Sequence, residues 1–104
     1  MNIEDYQKIC NDDNIAVTQH ANRRFRERGI SLDDIESAIL NGRIIEEYPS
    51  DTPFPSCLIL GNSLNNLPLH VVVSRDENIL YIITAYYPNL QKWHEDFATR
   101  REER

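Results

Sequence analysis

One histidine and two arginines recur at intervals of four residues in the first third of the chain, at His20, Arg24 and Arg28. Side chains four residues apart share one surface of an α-helix, so these three form a single row, here called the His–Arg stripe. Guanidinium groups donate forked hydrogen bonds to phosphate oxygens, and an imidazole exchanges a proton near neutral pH. The stripe therefore predicts a site for an anionic ligand, with phosphate as the first expectation.

The charge around the stripe supports this expectation. The chain has a formal net charge of −6, yet four arginines and one glutamate lie between residues 18 and 30. A concentrated basic segment on an acidic body favours a specific anionic ligand over diffuse binding to polyanions. The alternative is a solvated basic helix whose arginines pair with carboxylates such as Glu46 or Glu47. The spacing alone leaves both interpretations open.

A second group of candidate residues lies in the second half of the chain. His70 sits inside the apolar run 68–74, where an imidazole needs a hydrogen-bond partner or a wet cavity. A three-residue hairpin loop would place His70 opposite Thr84, with Tyr86 on the same face two residues further along. A four-residue loop would instead place His70 opposite Ile83. The alternative role for His70 is structural, through a hydrogen bond to Thr84 or to the backbone.

The sequence predicts no metal site and no cofactor. The three histidines are widely separated, and neither Cys10 nor Cys57 has a second cysteine nearby. No serine-centred elbow and no glycine-rich phosphate loop is present. We therefore expect the two cysteines to be buried, reduced thiols.

Periodicity predicts the elements that position these residues. Thr18 is a candidate N-cap for the helix that carries the stripe, and Gly29 is its candidate stop. Ser31 with Asp34 resembles a capping box that opens the next helix. Helical spacing predicts three helices in the first half, over residues 3–10, 19–28 and 31–41.

Four segments rich in β-branched and aromatic residues predict strands over 43–48, 56–60, 69–74 and 79–87. A final helix is expected from Pro88, with Leu90, Trp93 and Phe97 on its apolar face. Long crossovers between the strands are missing, which disfavours a parallel doubly wound sheet. We predict one α+β domain over residues 1–104, with helices packed on an antiparallel sheet of about four strands in the order α-α-α-β-β-β-β-α.

Composition limits the class of protein. A hydrophobic content of 40% supplies a modest core, so wholesale disorder is not expected. No apolar run approaches the ~20 residues that a membrane span requires. The first residues are acidic where a signal peptide would be basic, so we expect a cytoplasmic protein without a membrane partner. The oligomeric state is not predictable from these features.

Several of these segments together resemble a bacterial family described as a domain of unknown function. That family in turn resembles the small ribonuclease-like toxins of toxin–antitoxin pairs, the MqsR, RelE and barnase-like group. The resemblance extends in order from about residue 18 to residue 100. The segments that carry it are 20–31, 35–49, 55–61, 68–72, 83–88 and 92–100.

The resemblance implies a RelE/barnase-like α+β fold and a metal-independent endoribonuclease with RNA as its substrate. It also implies a protein partner of the antitoxin type, since members of the family are found beside zinc-finger antitoxins. The toxins of this group are typically basic, whereas this chain is acidic. The motif positions that match are His20, Arg24, Arg28, His70, Thr84 and Tyr86.

An enzyme of this kind would cleave RNA by attack of the 2′-hydroxyl on the adjacent phosphorus, which needs no metal because the nucleophile is already in place. The reaction needs a base for the 2′-hydroxyl and an acid for the 5′-oxygen. His20 and His70 are the candidates, with Tyr86 as a substitute. This hypothesis requires both imidazoles to open onto a common pocket.

The remaining candidates have supporting roles under the same hypothesis. Arg24 and Arg28 would stabilise the charge that grows on the phosphorane, and Thr84 would orient His70 or bind a phosphate oxygen. One alternative is a non-catalytic module that binds an anion or a protein through the same fold. Another is a structural subunit in which Arg24 and Arg28 form internal salt bridges.

Overall fold

The computed structural model describes residues 1–102. Within that range, none of the helices has both the length and the apolar character needed to cross a membrane. A single 3₁₀ turn (Asp12–Asn14) accompanies the helices and strands. The helices are α1 (Ile3–Gln7), α2 (Gln19–Glu27) and α3 (Leu32–Asn41), and the strands are β1 (Ile15–Ala16), β2 (Arg43–Tyr48), β3 (Ser56–Asn62), β4 (Pro68–Asp76) and β5 (Ile79–Tyr86).

The caps of α2 and α3 are those that the sequence predicts. The Thr18 hydroxyl accepts a hydrogen bond from the Ala21 N–H at 3.1 Å, and α2 stops at Gly29, whose φ is +70°. Ser31 and Asp34 form a reciprocal capping box at the start of α3. The first helix is shorter than predicted and ends at Gln7.

The strands form one open sheet in the order β1-β5-β4-β3-β2. β2 to β5 are antiparallel neighbours, as predicted, but β1 runs parallel to β5. The predicted α+β class is therefore confirmed, whereas the expectation of an antiparallel sheet of about four strands was wrong, since the sheet has five strands and is mixed. A strand of only two residues, Ile15 and Ala16, is too short to show an alternating pattern in the sequence.

Both predicted registers of the β4–β5 hairpin were wrong. The turn consists of two residues, and Glu77 rather than Asn78 adopts a positive φ of 52°. Val72 pairs with Thr84, and Val73 pairs with Ile82, so a β-bulge inserts one extra residue between them. His70 consequently lies opposite Tyr86 instead of Thr84 or Ile83.

The three helices pack on one side of the sheet, here called the helix face. Gly61 on β3 lies so close to α3 that a Cβ atom there would collide with the backbone of Ala38. This close approach lets α3 and β3 exclude water between them. The buried residues of this core are Tyr6, Ile9, Cys10, Ala21, Phe25, Ile30, Ile35, Ala38, Ile39, Cys57, Ile59, Leu69, Val71, Val73, Leu80, Ile82 and Ala85.

The predicted final helix was wrong, because residues 88–101 form an irregular segment, here called the C-terminal segment. The Asn89 side chain accepts hydrogen bonds from the backbone N–H groups of Gln91 and Lys92, and Asp96 does the same for Ala98 and Thr99. These local side-chain acceptors take the N–H groups that a helix would have used. The segment crosses the side of the sheet opposite the helices, here called the open face.

The side chain of Glu36 on α3 is half-buried near Asp12 of the 3₁₀ turn. Glu36 Oε1 has no hydrogen-bond partner among residues 1–102. Burial raises the pKa of Glu36 to about 7, and the nearby Asp12 and Asp33 carboxylates add to the shift. The folded protein therefore holds a proton on Glu36 at pH values where the unfolded chain has lost it.

We predict that Glu36→Gln removes a pH dependence of stability. Between about pH 5 and pH 7 the unfolded chain ionises Glu36 while the fold resists this, so the wild-type free energy of unfolding falls as pH rises. The variant should gain on the order of 1 kcal/mol over wild type at pH 8, since partial exposure screens the repulsion. Urea unfolding at pH 5 and pH 8 measures this, with exposed Glu95→Gln as the control. An equal pH dependence in wild type and Glu36→Gln would contradict the prediction.

Candidate functional site

The His–Arg stripe lies on α2, as the spacing predicts. His20, Arg24 and Arg28 are all exposed, whereas Ala21 and Phe25 on the adjacent face of the helix are buried against the sheet. The packing of Phe25 fixes the rotation of α2 about its axis. The backbone positions of the stripe residues are thereby fixed on a solvent-facing side of α2.

Three arginines lie on α2 and a fourth, Arg28, is its C-cap residue. Among residues 1–102, no acidic side chain forms a salt bridge with any of these four arginines. Glu46 instead accepts two hydrogen bonds from Arg100, at 2.8 and 3.1 Å, and Glu47 pairs with the N-terminal ammonium group. The alternative of a solvated basic helix is therefore right about the exposure of these arginines and wrong about their pairing with Glu46 or Glu47. The four, here called the α2 arginines, are Arg23, Arg24, Arg26 and Arg28.

Arg28 links the stripe to the sheet. Its Nη1 atom donates to the Ala85 carbonyl at 2.8 Å and to the Thr84 hydroxyl at 3.4 Å. β1 pairs with β5 only at Leu80 and Tyr81, so the Ala85 carbonyl lies on a part of the strand edge that β1 does not cover. Arg28 satisfies that carbonyl and still presents other N–H donors of its five to a ligand.

His70 is fully buried on the open face, and both of its ring nitrogens have partners. Nε2 lies 2.6 Å from the Phe97 carbonyl, which can only accept, so Nε2 carries the proton. Nδ1 lies 3.2 Å from the Tyr86 hydroxyl and accepts its hydrogen bond. Burial lowers the pKa of His70, and the bond to Phe97 opposes only part of that shift. His70 is therefore a neutral crosslink between β4, β5 and the C-terminal segment.

The C-terminal segment closes over this imidazole. The Trp93 ring is buried and meets the His70 ring edge-on, with centroids 4.5 Å apart. The Arg100 guanidinium lies 4.5 Å from the centroid of the Trp93 ring on one side and binds Glu46 on the other. Glu46 also accepts a hydrogen bond from the Tyr48 hydroxyl at 2.6 Å. These contacts hold the cover in place.

The structure brings some of the predicted site residues together and separates others. Arg28 contacts Thr84, and His70 contacts Tyr86. Thr84 does not orient His70 in the arrangement seen, since its side chain bonds to Arg28. The expected common pocket for the two imidazoles is absent from residues 1–102. The physical reason is that α2 packs on the helix face, while His70 points to the open face and is covered by Trp93.

Two features of the site region were missed by the sequence reasoning. Arg23 and Arg26 border a shallow depression of about 350 Å³ together with Gln19 and Asn22. The ion pair between Arg100 and Glu46, here called the latch, joins residues 54 positions apart. No helical or strand periodicity in the sequence relates residues at that separation. The basic composition of residues 18–30 was the available signal for the depression, whereas none existed for the latch.

Within residues 1–102, no group of three or more histidine, cysteine or acidic side chains is placed to hold a metal ion. Cys10 and Cys57 are free and buried, and burial raises the pKa of each thiol to about 11. Thiols that stay protonated are poor metal ligands and poor nucleophiles.

We predict that stability falls when the pH drops below about 6.5, because the unfolded chain then protonates His70 while the folded state resists this. His70→Gln should flatten the dependence, since the amide can still donate to the Phe97 carbonyl but does not titrate. Urea unfolding at pH 7.5 and pH 5.5 tests this in a Glu36→Gln background, which removes the opposing dependence of that carboxyl. Exposed His94→Gln is the control. The prediction fails if His70→Gln keeps the wild-type slope.

A model of the family described as a domain of unknown function, DUF4258, matches residues 17–87. The match starts just before α2 and ends just after β5, so it includes α2, α3 and the four antiparallel strands. Comparisons with curated proteins and with solved structures gave no match. The family description assigns no activity and makes no connection to a toxin family. Because the match covers about two thirds of the sequence, this chain belongs to the DUF4258 family.

Proposed function

We propose that this protein is a metal-independent endoribonuclease of the toxin–antitoxin type that binds RNA along α2. The observation that carries the proposal is a set of four exposed arginines, on α2 and at its C-cap, that have no carboxylate partner within residues 1–102. Unpaired guanidinium groups on one rigid helix attract a phosphate backbone without first breaking internal ion pairs. The acidic remainder of the chain repels RNA and restricts binding to this surface.

The form of the reaction that uses two imidazoles in one pocket is lost, because Phe97, Tyr86 and Trp93 enclose His70. The proposed reaction takes place beside His20 alone, with that imidazole as the base and solvent water as the acid. An unprotonated ring nitrogen of His20 removes the proton of a ribose 2′-hydroxyl, whose oxygen attacks the adjacent phosphorus. The bond from phosphorus to the 5′-oxygen breaks, which leaves a 2′,3′-cyclic phosphate, and the departing 5′-oxygen takes a proton from water to become a 5′-hydroxyl. Arg24, one turn further along the helix, stabilises the negative charge of the phosphorane. Arg28 is anchored on Ala85 and supplies a second, fixed donor.

His70 and Tyr86 support this site from the sheet in the proposal. His70 cannot exchange protons with a substrate while Phe97 and Tyr86 occupy its nitrogens and Trp93 covers it. Burial raises the pKa of Tyr86, so its hydroxyl stays protonated. The pair instead holds the end of β5, to which Arg28 is attached.

The finer fold and the setting belong to the same proposal. Helices on one face of a largely antiparallel sheet agree with the RelE/barnase-like arrangement that the sequence resemblance implies. A protein partner of the antitoxin type would neutralise the exposed arginines with acidic side chains. Free, buried thiols at Cys10 and Cys57 fit the reducing conditions of the cytoplasm.

A non-catalytic module that binds an anion or a protein is the second candidate. The observation that favours it is the complete burial of His70, which removes one of the two histidines that the cleavage hypothesis invoked. Under this candidate, α2 binds phosphate groups but no bond is broken. The two candidates share a binding surface and differ in the product.

We predict that His20→Ala lowers RNA cleavage by about 100-fold or more while RNA binding persists, because general base catalysis contributes about that much. Purified protein is incubated with a labelled single-stranded RNA in the presence of EDTA, and products are analysed for cyclic phosphate ends. His94→Ala, which changes an exposed histidine outside α2, is the matched control. Wild-type protein that binds RNA without cleaving it would establish the non-catalytic module. Absence of both binding and cleavage would overturn the endoribonuclease and the phosphate-binding form of the module.

We further predict that Arg24→Ala weakens RNA binding and makes it less dependent on salt. Each lost phosphate contact lowers the slope of log affinity against log salt concentration by about 1. Fluorescence anisotropy at several salt concentrations measures that slope. Arg43→Ala is the matched control, since Arg43 is an exposed arginine on β2. Equal slopes for wild type and Arg24→Ala would show that α2 is not the RNA surface.

A further inference from the structure

A cavity of about 570 Å³ lies on the open face, at some distance along the sheet from the covered His70. Its floor is formed by Ser74 and Tyr81, which pair across β4 and β5. One wall is the connection between β2 and β3, and another is the segment that leads into α2. This volume falls within the ~300–1,000 Å³ range of small-molecule sites.

Aromatic surface dominates one side of the cavity. The rings of Phe54 and Tyr81 lie nearly parallel, with an interplanar angle of 14° and centroids 5.9 Å apart, and both border the cavity. Ile83, in the bulge of β5, is exposed at the same place. A planar ring that entered the cavity would extend a stack that already exists. Such platforms bind unpaired nucleobases, because every base has a π-face.

The carboxylate of Asp51 lies beside these two rings. Asp51 lines the cavity and is fixed at two points: its N–H donates to the Tyr48 carbonyl, and its Oδ2 accepts from the Ser56 hydroxyl. Its other carboxylate oxygen has no partner among residues 1–102. A fixed acceptor with a free oxygen favours a ring edge that carries N–H donors.

The cavity also adjoins the proposed RNA surface. Thr18 lines it and is the N-cap of α2, and His20 follows two residues later. The N-terminal end of α2 is therefore the part of the proposed RNA surface that borders the cavity. Neither the stripe nor the covered His70 accounts for this concave, partly aromatic surface.

We propose that this cavity binds a nucleobase, stacked on Phe54 and Tyr81 and held at its N–H edge by Asp51. Single-stranded RNA and a free nucleotide both carry such a base, and the RNA source rests on the proposed function. Guanine is the expected preference, since its Watson–Crick edge presents two adjacent N–H donors to one carboxylate. The cavity would thus select which residue of an RNA lies at α2.

The test uses the full chain and two kinds of ligand. Free ligands are guanosine, cytidine and ribose 5-monophosphates, followed by changes in amide NMR signals at millimolar concentration. Strand ligands are an eight-nucleotide RNA and the same backbone with abasic positions, followed by fluorescence anisotropy. The variants are Phe54→Ala, Tyr81→Leu and Asp51→Asn. Ile79→Ala is the matched control, an exposed apolar residue on the same strand as Tyr81 but outside the cavity.

Phe54→Ala should weaken binding of the RNA and of guanosine monophosphate by about 10-fold, since a stacked base contributes about 1–3 kcal/mol. Binding of the abasic strand should not change. Asp51→Asn should remove the preference for guanosine over cytidine monophosphate, and Ile79→Ala should have no effect. Tyr81→Leu gives a second measure of stacking if Phe54→Ala alters the loop, and thermal unfolding checks that each variant is folded.

Equal binding of guanosine monophosphate and ribose 5-phosphate would overturn the inference, as would variants that leave every ligand unaffected. RNA binding that responds to Arg24→Ala but not to Phe54→Ala or Tyr81→Leu would leave the proposed function intact and refute the cavity. Nucleotide binding that Phe54→Ala abolishes, in a protein that neither binds nor cleaves RNA, would do the opposite: it would establish a free-nucleotide site and refute the proposed function.

Discussion

The double hydrogen bond of His70 is the constraint on which the open face depends. One imidazole ties the middle of the sheet to Tyr86 on the next strand and to the Phe97 carbonyl of the C-terminal segment. A buried ring with both nitrogens satisfied costs little, whereas the same ring with one partner missing would be expensive. The C-terminal segment held by this bond places Trp93 edge-on against the imidazole, and Arg100 packs on Trp93 and pairs with Glu46.

This constraint divides the chemistry of the molecule between two sides. The helix face is an apolar core, and α2 carries its arginines on the outside of that layer. The open face holds a covered imidazole at one place and an accessible aromatic cavity at another. Arg28 and Thr84 connect the two sides at the edge of β5, so the end of α2 is joined to the strand that also carries Tyr81 and Tyr86.

Local signals in the sequence predicted the helices and most strands, because caps and alternation are properties of neighbouring residues. Thr18, Gly29 and the Ser31 capping box act within one helical turn, and each was found where expected. The errors arose where distant residues decide the outcome. The hairpin register depends on a bulge. The path of the C-terminal segment depends on the packing of Trp93 against His70, which lies far away in the sequence. The exposed stripe was predictable, whereas the separation of the two imidazoles was not.

The contact between Arg28 and the Ala85 carbonyl has a consequence for self-association. A sheet edge with free carbonyl and N–H groups invites an additional strand from another molecule. Here the two residues of β1 occupy one stretch of the β5 edge, and a guanidinium occupies the carbonyl beyond it. The opposite edge, β2, carries Arg43, Glu46 and Glu47. Both edges of the sheet therefore carry charged side chains, which disfavour edge-to-edge pairing with strands of other molecules and hence aggregation.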